Sequence, residues 1–426
     1  MNAVTTITNA VRRLETMFPG YFQTSGKRDH YPDFGFPKTI TFEQFWQMYA
    51  RNGIARAAVS KTILKTWETS PYIQENDDAS DLTQLETDLQ QRFADLRFWQ
   101  KIAEADRRSL VGNYAGLVLR FADGKRFNEP VDRVPGGLDG LVEIIPAWQA
   151  QLTVDEWHND ELQENYGSPK MFTFNEAALN GTTTPRKFAV HPDRVVVWSQ
   201  DGTVHNDSSL SAGYNDLITI EKVIGAGGEG FWKNAKSAPV LQIDKDAKAE
   251  AMAQAMGVSK TELADAMNTQ VNDWQKGFDS LLMLQGMEAK TLGVTLPQPA
   301  EFVNVALQSF ASSWGIPIKI LVGMQTGERA SQEDAKEWAM TCMARRNGSI
   351  VPNIMQLIRR LERFGVMAEK PWSIDWADLT ESDMSEKIDR ATKMADINVK
   401  NVQAGGIELT FTEDEIRETI GKDPLL

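Results

Sequence analysis

At 426 residues the chain is long enough for two or three domains, and 42% hydrophobic with 24% charged residues is the balance of a globular protein. Fifty-nine acidic against 45 basic residues give a net charge of −14. That excludes the tight, counterion-releasing grip of a repressor, polymerase or nuclease clamp, though not a conduit through which DNA slides. One cysteine, Cys342, excludes an internal disulfide and suits a reducing cytosol, and no run of about 20 apolar residues offers a membrane span.

The opening MNAVTTITNAVRRLE is a poor secretory signal, because Arg12 and Arg13 follow apolar residues already interrupted by polar ones. The chain to about Asp33 reads as a polar arm with one short helix, and Tyr31–Pro37 as a loop. Phe42–Leu64 predicts two helices split near Gly53. After a polar loop through Asp77, Asp78 and Asp81, one long helix is expected from Leu82 to Leu110, with Phe93, Leu96, Trp99, Ile102 and Ala103 on one side. Gly116–Phe121, Leu141–Pro146, Lys170–Phe174 and Arg194–Trp198 read as strands separated by turn dipeptides such as Asp123-Gly124 and Asp201-Gly202.

Tyr214–Ala235 is helical in pattern despite four glycines, and Ala238–Asp244 is a strand. Lys245–Gly277 predicts a helix broken at Gly257 and restarted by Ser259 with Glu262. Ser280–Leu296 reads as a hairpin around Gly286. Phe302, Ala306, Phe310 and Trp314 recur at helical spacing until Gly315 and Pro317 stop the helix. Ile316–Val322 is short and β-branched, so it is expected to be extended. Gly323–Ala330 is a loop with little to bury, and Ser331 with Asp334 is expected to cap the next helix. Ile350 through Phe364 defines an amphipathic helix ended by Gly365, Ser385–Gln403 another, and Thr412 with Glu415 caps a last short one. The class is α+β, with helices toward both ends and strands concentrated between Gly116 and Trp198.

The search for chemistry finds little. Gly225-Ala-Gly-Gly-Glu-Gly230 fits the dinucleotide fingerprint in letters, but Leu217, Ile220, Val223 and Ile224 precede it at helical spacing where a strand is required. Gly20 to Arg28 resembles a phosphate loop with one residue too many and no hydroxyl for magnesium. His30, His158, His191 and His205 are scattered. Three have an acid two residues on (Asp160, Asp193, Asp207), yet none sits in a metal-binding spacing. His191 before Pro192 suggests a turn at a strand entry. Ser211-Ala-Gly213 lacks the glycine of a nucleophile elbow, and Asp77, Asp78 and Asp81 lack the glycine and glutamate of a calcium loop. Cys342 lies in a helical pattern as a buried thiol, and the twelve tryptophans mostly sit in apolar patterns that suit packing or subunit contacts.

Several spaced segments resemble the tailed-bacteriophage portal proteins. They are Met48-Tyr-Ala-Arg-Asn-Gly-Ile-Ala-Arg-Ala-Ala-Val59, Asp106 to Arg120, His191-Pro-Asp-Arg-Val-Val-Val-Trp198, Trp314-Gly-Ile-Pro-Ile-Lys-Ile-Leu-Val-Gly323, and Gly405-Gly406 with Phe411-Thr-Glu-Asp-Glu-Ile-Arg417. The resemblance implies an α/β wing over 1–210, a stem helix over 211–237 and a clip over 238–297. A returning stem helix with its extended run would cover 298–322, a tunnel loop 323–330, and a wing return with a small helical crown 331–426. Met324, Gln325, Thr326, Gly327, Glu328 and Arg329 would face DNA. The implied protein is a non-enzymatic ring homo-oligomer, typically of twelve copies, with no cofactor, metal or membrane. It would conduct double-stranded DNA weakly and without sequence preference, at the portal vertex of a virion, after assembly in the host cytoplasm. Its partners would be the terminase large subunit, the head–tail adaptor, and the major capsid and scaffolding proteins, with no single clip residue assigned to docking. Another virion structural or scaffolding protein is the nearest alternative. A nucleotide-dependent cytosolic enzyme using Gly225 to Gly230 is the alternative from another class.

Overall fold

The computed structural model describes residues 30–75, 82–179, 185–235, 239–243, 250, 253–254, 257–266, 268–269, 287–291, 299–323, 328–380, 384–405 and 409–422. Contacts divide the chain into two units, residues 40–211 with 314–426 and residues 1–39 with 212–313. A one-turn helix, α1 (His30–Phe34), replaces part of the loop expected over Tyr31–Pro37.

The larger unit starts with α2 (Phe42–Arg51) and α3 (Gly53–Thr66). Asn52 makes the split near Gly53: it ends the first helix, and its Oδ1 accepts from Ile54 N at 3.0 Å and Ala55 N at 3.1 Å to start the second. After β1 (Tyr72–Gln74), the single long helix expected from Leu82 is two, α4 (Gln84–Asp95) and α5 (Phe98–Val111). They part at Arg97, whose φ of 51° is left-handed, a conformation costing about 1–2 kcal/mol for a residue with a Cβ. The turn offsets that cost by laying Phe98 on Phe93 with ring centroids 3.7 Å apart and setting Trp99 edge-on to both.

The four expected strands are present as β2 (Ala115–Phe121), β3 (Leu141–Trp148), β5 (Pro169–Asn175) and β7 (Val195–Trp198). Two others, β4 (Leu152–Trp157) and β6 (Lys187–Val190), escaped the pattern because they are edge strands with little apolar alternation. The strands form two antiparallel sheets, ordered β3-β2-β7 and β4-β5-β6. Strand β2 is central and buried on both faces. Ala115, Leu117, Leu119 and Phe121 share a core with Ile102 and Ala105 of α5, while Val118 joins Leu152, Phe172, Phe174 and Val190 of the second sheet. Gly116 lets that second sheet approach, since a Cβ there would lie 2.1 Å from Leu152 Cδ2.

In the smaller unit α6 (Tyr214–Ala235) runs through all four glycines as one helix. β8 (Pro239–Ile243) pairs antiparallel with β9 (Met287–Thr291). The turn expected around Gly286 lies outside the described residues. So does most of the Lys245–Gly277 helix, although Gly257 is left-handed and Ser259 Oγ donates to Glu262 Oε2 at 2.7 Å, as expected of the break and restart. α7 (Pro299–Trp314) follows. Gly213, just before α6, is pressed against α7: an added Cβ would meet Phe310 Cδ2 at 2.4 Å and Ser313 Oγ at 2.6 Å.

The chain returns to the larger unit through α8 (Ile318–Val322) and α9 (Glu328–Arg345), a π-turn (Arg346–Ile350) and α10 (Val351–Arg363). Ile354, Leu357, Ile358 and Leu361 of α10 enter the helical side of the core, and Gly365 ends the run with φ 74°. β10 (Ser373–Asp375) pairs with β1, then come α11 (Met384–Gln403) and α12 (Glu413–Thr419), whose Thr412–Glu415 capping box forms as expected. The fold is α+β. Among the described residues no helix is long and apolar enough to cross a membrane.

Candidate functional site

Met324, Gln325, Thr326 and Gly327 lie outside the described residues. Glu328 and Arg329 do not continue a loop: they form the first turn of α9, three residues ahead of the expected start at Ser331. Asp334, expected to cap that helix, pairs instead with Lys319 at 3.3 Å. The run expected to be extended over Ile316–Val322 is also helical from Ile318. Its β-branched residues cost little over so few positions. Pro317 O accepts from Leu321 N at 3.0 Å, Lys61 Nζ donates to the carbonyl of Ile320, and Gly323, at φ 81°, closes the turn.

Both flanks of 324–327 therefore stand on one element. α8 and α9 each pack on α3, Ile316 and Leu321 are buried, and Trp314 Nε1 donates to Thr62 Oγ1 at 2.9 Å. Charge here is carried by the flanks rather than by residues 324–327, which hold no ionisable side chain.

At its far end α9 is fastened by a buried polar hub that the sequence did not reveal. Asp106 Oδ1 accepts from Trp198 Nε1 at 3.2 Å and Arg345 Nη2 at 2.5 Å, while Oδ2 accepts from Trp67 Nε1 at 2.8 Å and Arg345 Nη1 at 2.9 Å. Arg346 is fully buried, donates to Thr66 O and Ala377 O at 2.7 Å each, and lies 4.0 Å from the centre of the Trp376 ring. Burial lowers its guanidinium to about 10, well short of losing the charge. Asp106 and Trp198 sat in segments that carry the family resemblance; nothing local marked Trp67 or Arg345 as their partners.

Gly20 to Arg28 and Asp77, Asp78 and Asp81 lie outside the described residues, and the candidates that follow take structural places. Gly225 to Gly230 lies within α6 with no strand before it, so no helix N-terminus meets a phosphate there. His191 caps the turn into β7, its Nδ1 accepting from Asp193 N at 3.2 Å, which is the strand-entry role its sequence suggested. His158 contacts Asn165 rather than Asp160, and His205 stacks on Trp157 at 5.3 Å. The buried-thiol expectation for Cys342 holds, with 1% of its surface exposed and the pKa pushed up to about 11, chiefly by burial. Among the described residues no three His, Cys, Asp or Glu side chains could together hold a metal ion.

No curated protein sequence is similar to this chain. Among solved structures, the neck of a native gene transfer agent particle computed with twelve-fold symmetry aligns at TM-score 0.48 and 14% identity, covering 89% of this chain and 94% of that one. The neck of the empty particle, computed with six-fold symmetry, aligns at TM-score 0.47 and 14% identity over 91% and 95% of the two chains. An HK97-family phage portal protein from Corynebacterium diphtheriae aligns at TM-score 0.41 and 12% identity, over 78% and 95%. The profile of one sequence family, described as phage portal protein, matches residues 43–400, well over half of the sequence, and the chain belongs to that family.

Proposed function

We propose that copies of this chain, twelve in number, close into a ring at one capsid vertex and that double-stranded DNA passes through the bore during packaging and ejection. Family membership supports this reading, and the observation that carries it is the uncovered apolar surface of α6 and α7. Ile224 and Phe231 on α6 and Phe302 and Val305 on α7 are exposed, Phe231 to 72%. Each interior glycine costs a helix about 1 kcal/mol relative to alanine, yet a Cβ at Gly225, Gly227 or Gly228 would meet nothing within 4 Å in the subunit. A neighbouring copy supplies the missing contact through a heterologous interface, in which two different faces meet and the rotation closes a ring.

In that ring residues 324–329 face the DNA, and the net charge of −14 per subunit keeps attraction to phosphate low. Residues 238–297 meet the terminase large subunit and then the head–tail adaptor, while 331–426 return to the wing and form a small crown among capsid and scaffolding proteins. The chain assembles in the host cytoplasm, resides at the portal vertex of the virion, and makes and breaks no covalent bond. Negative-stain microscopy of purified protein tests the reading, with rings bearing a central hole expected. The double substitution Ile224→Glu with Phe231→Glu is expected to leave dispersed subunits of unchanged circular dichroism. A wild type that stays monomeric, or rings indifferent to both substitutions, overturns it.

A further inference from the structure

In the larger unit the β4–β5 hairpin ends in an acidic tip. Between Gln149 and Pro169 the chain carries Asp155, Glu156, Asp160, Glu161 and Glu164, with neither lysine nor arginine. Polar bonds order the tip. Asp160 accepts from Leu162 N at 3.1 Å and from Gln163 Nε2 at 3.0 Å, and Asn165 Nδ2 meets His158 Nε2 at 3.1 Å. His158 N donates to Ser168 O and Gly167 N to His158 O, closing the neck. These bonds hold Leu162 out in solvent, 91% exposed, with Tyr166 exposed on the following turn. Glu161 and Glu164 flank the leucine, and their carboxylates have no partner among the described residues.

A socket of opposite character lies on the same unit. The cavity, about 600 Å3, is bounded by α4, the turn before β3 and the chain after α10. Half-buried Leu85 and Leu138 form its apolar floor together with Met367 and Trp372. Trp372 Nε1 already donates to Ala368 O at 3.1 Å, so its ring offers only carbon. Two exposed guanidiniums stand at the mouth. The stem of Arg133 takes the space of a side chain at Gly365, where a Cβ would come 3.2 Å from Arg133 Cγ, and Arg363 lies 5.5 Å from the centre of the Phe364 ring. Neither arginine meets a carboxylate among the described residues. Of the two acids lining the cavity, Glu362 accepts from Lys370 N at 3.1 Å, which leaves Glu369 against two arginines.

We propose that the Leu162 tip of one copy seats in this socket of a second copy, Leu162 on Leu85, Leu138 and Trp372, and the carboxylates of Glu161 and Glu164 on Arg133 and Arg363. Tip and socket complement each other in polarity and in charge, and Leu162 is too exposed to fill the socket of its own chain. Burial of the leucine supplies the apolar part of the contact, and guanidinium with carboxylate supplies its orientation. Two unlike surfaces meeting head to tail make a heterologous contact, which a ring repeats at every subunit. The inference rests on the ring reading and gives it a contact within the larger unit, separate from α6 and α7.

The test is oxidative cross-linking of the purified full chain carrying Leu162→Cys with Ala368→Cys, beside each single variant. Ala368 is exposed at the cavity, and native Cys342 is 1% exposed and takes no part. The pair is expected to give a ladder of disulfide-linked species beyond the dimer, and the single variants none. Adding Arg133→Glu with Arg363→Glu to the pair should slow cross-linking about tenfold or more, because like charges then face each other. Adding Glu161→Arg with Glu164→Arg as well should restore the ladder, which a folding defect would not allow. Rings by electron microscopy without a ladder overturn this inference alone, whereas neither rings nor ladder overturns the ring reading with it. A ladder indifferent to the first charge reversal, or not restored by the second, also overturns the proposal.

Discussion

Asp106 shows how much a single buried side chain can hold. Its carboxylate is 1% exposed and receives two indole N–H groups and both terminal nitrogens of Arg345, joining α5, β7, α9 and Trp67, which caps the end of α3, at one point. Removing one partner of a buried pair leaves the other charge uncompensated, which typically costs about 3–5 kcal/mol. Asp106→Ala is expected to lower urea-unfolding stability by that amount, and a loss below about 1 kcal/mol would show that water replaces the carboxylate. His191 offers a pH signature. Its pKa is pushed below the ordinary range by burial first, with Arg194 and Arg360 adding repulsion and Asp193 acting oppositely. The folded chain thus favours neutral imidazole, so this contribution is whole above the unfolded value of about 6.5 and is lost as pH falls through the lower folded value. Between about pH 7 and pH 5 the wild type should lose more melting temperature than His191→Gln, and parallel curves would remove His191 from the account. Cys342 should resist a disulfide reagent in native protein and yield one equivalent of thiol on denaturation.

At the level of elements, most of what could be read locally was a burial pattern. α10 announced itself because Ile354, Leu357, Ile358 and Leu361 bury one face, and β2 because a strand buried on both faces is apolar throughout. The break at Arg97 was hidden because the apolar stripe from Phe93 to Ile102 continues across it. The reason for the break is the stacking of Phe93 on Phe98, a contact that a continuous helix could not make between residues five apart. Strand β1 was invisible since its partner β10 lies about 300 residues away, and the Asp106 hub was hidden for the same reason, drawn from four distant segments. Helix α8 was misread because it is held by Lys61 on α3 and by the burial of Leu321 beside Ile316, tertiary contacts that its β-branched composition does not report. Arg97 gives this scale its prediction. The side chain is exposed and the backbone left-handed, so Arg97→Gly should relieve the Cβ conflict and raise stability by about 1 kcal/mol. A loss of stability instead would mean that the corner depends on the arginine itself.

For the whole molecule, the proposed assembly and the proposed DNA passage make separable demands on different residues. The proposed ring contacts use apolar groups of α6 and α7, whereas the proposed DNA-facing residues follow α8 and open α9, helices that both pack on α3. Because Ile316, Leu321, Lys61 and the Lys319–Asp334 pair fix the flanks, residues 324–327 can change without disturbing what the ring needs. Residues 324–327 carry no charge, and Glu328 balances Arg329, so any grip by 324–327 comes from bulk and contact rather than counterion release, which would scale with the number of cations. Substituting Met324→Gly, Gln325→Gly and Thr326→Gly together should therefore leave rings intact by electron microscopy while lowering the DNA packaged or retained per particle, with little dependence on salt. Glu328 and Arg329 sit in the first turn of α9, and exchanging both for alanine tests charge at the same place. If the alanine pair impairs packaging in a salt-dependent way and the glycine triple does not, DNA is read by the helix end. If the glycine triple prevents rings from forming, residues 324–327 are packing between subunits and the bore-facing assignment fails.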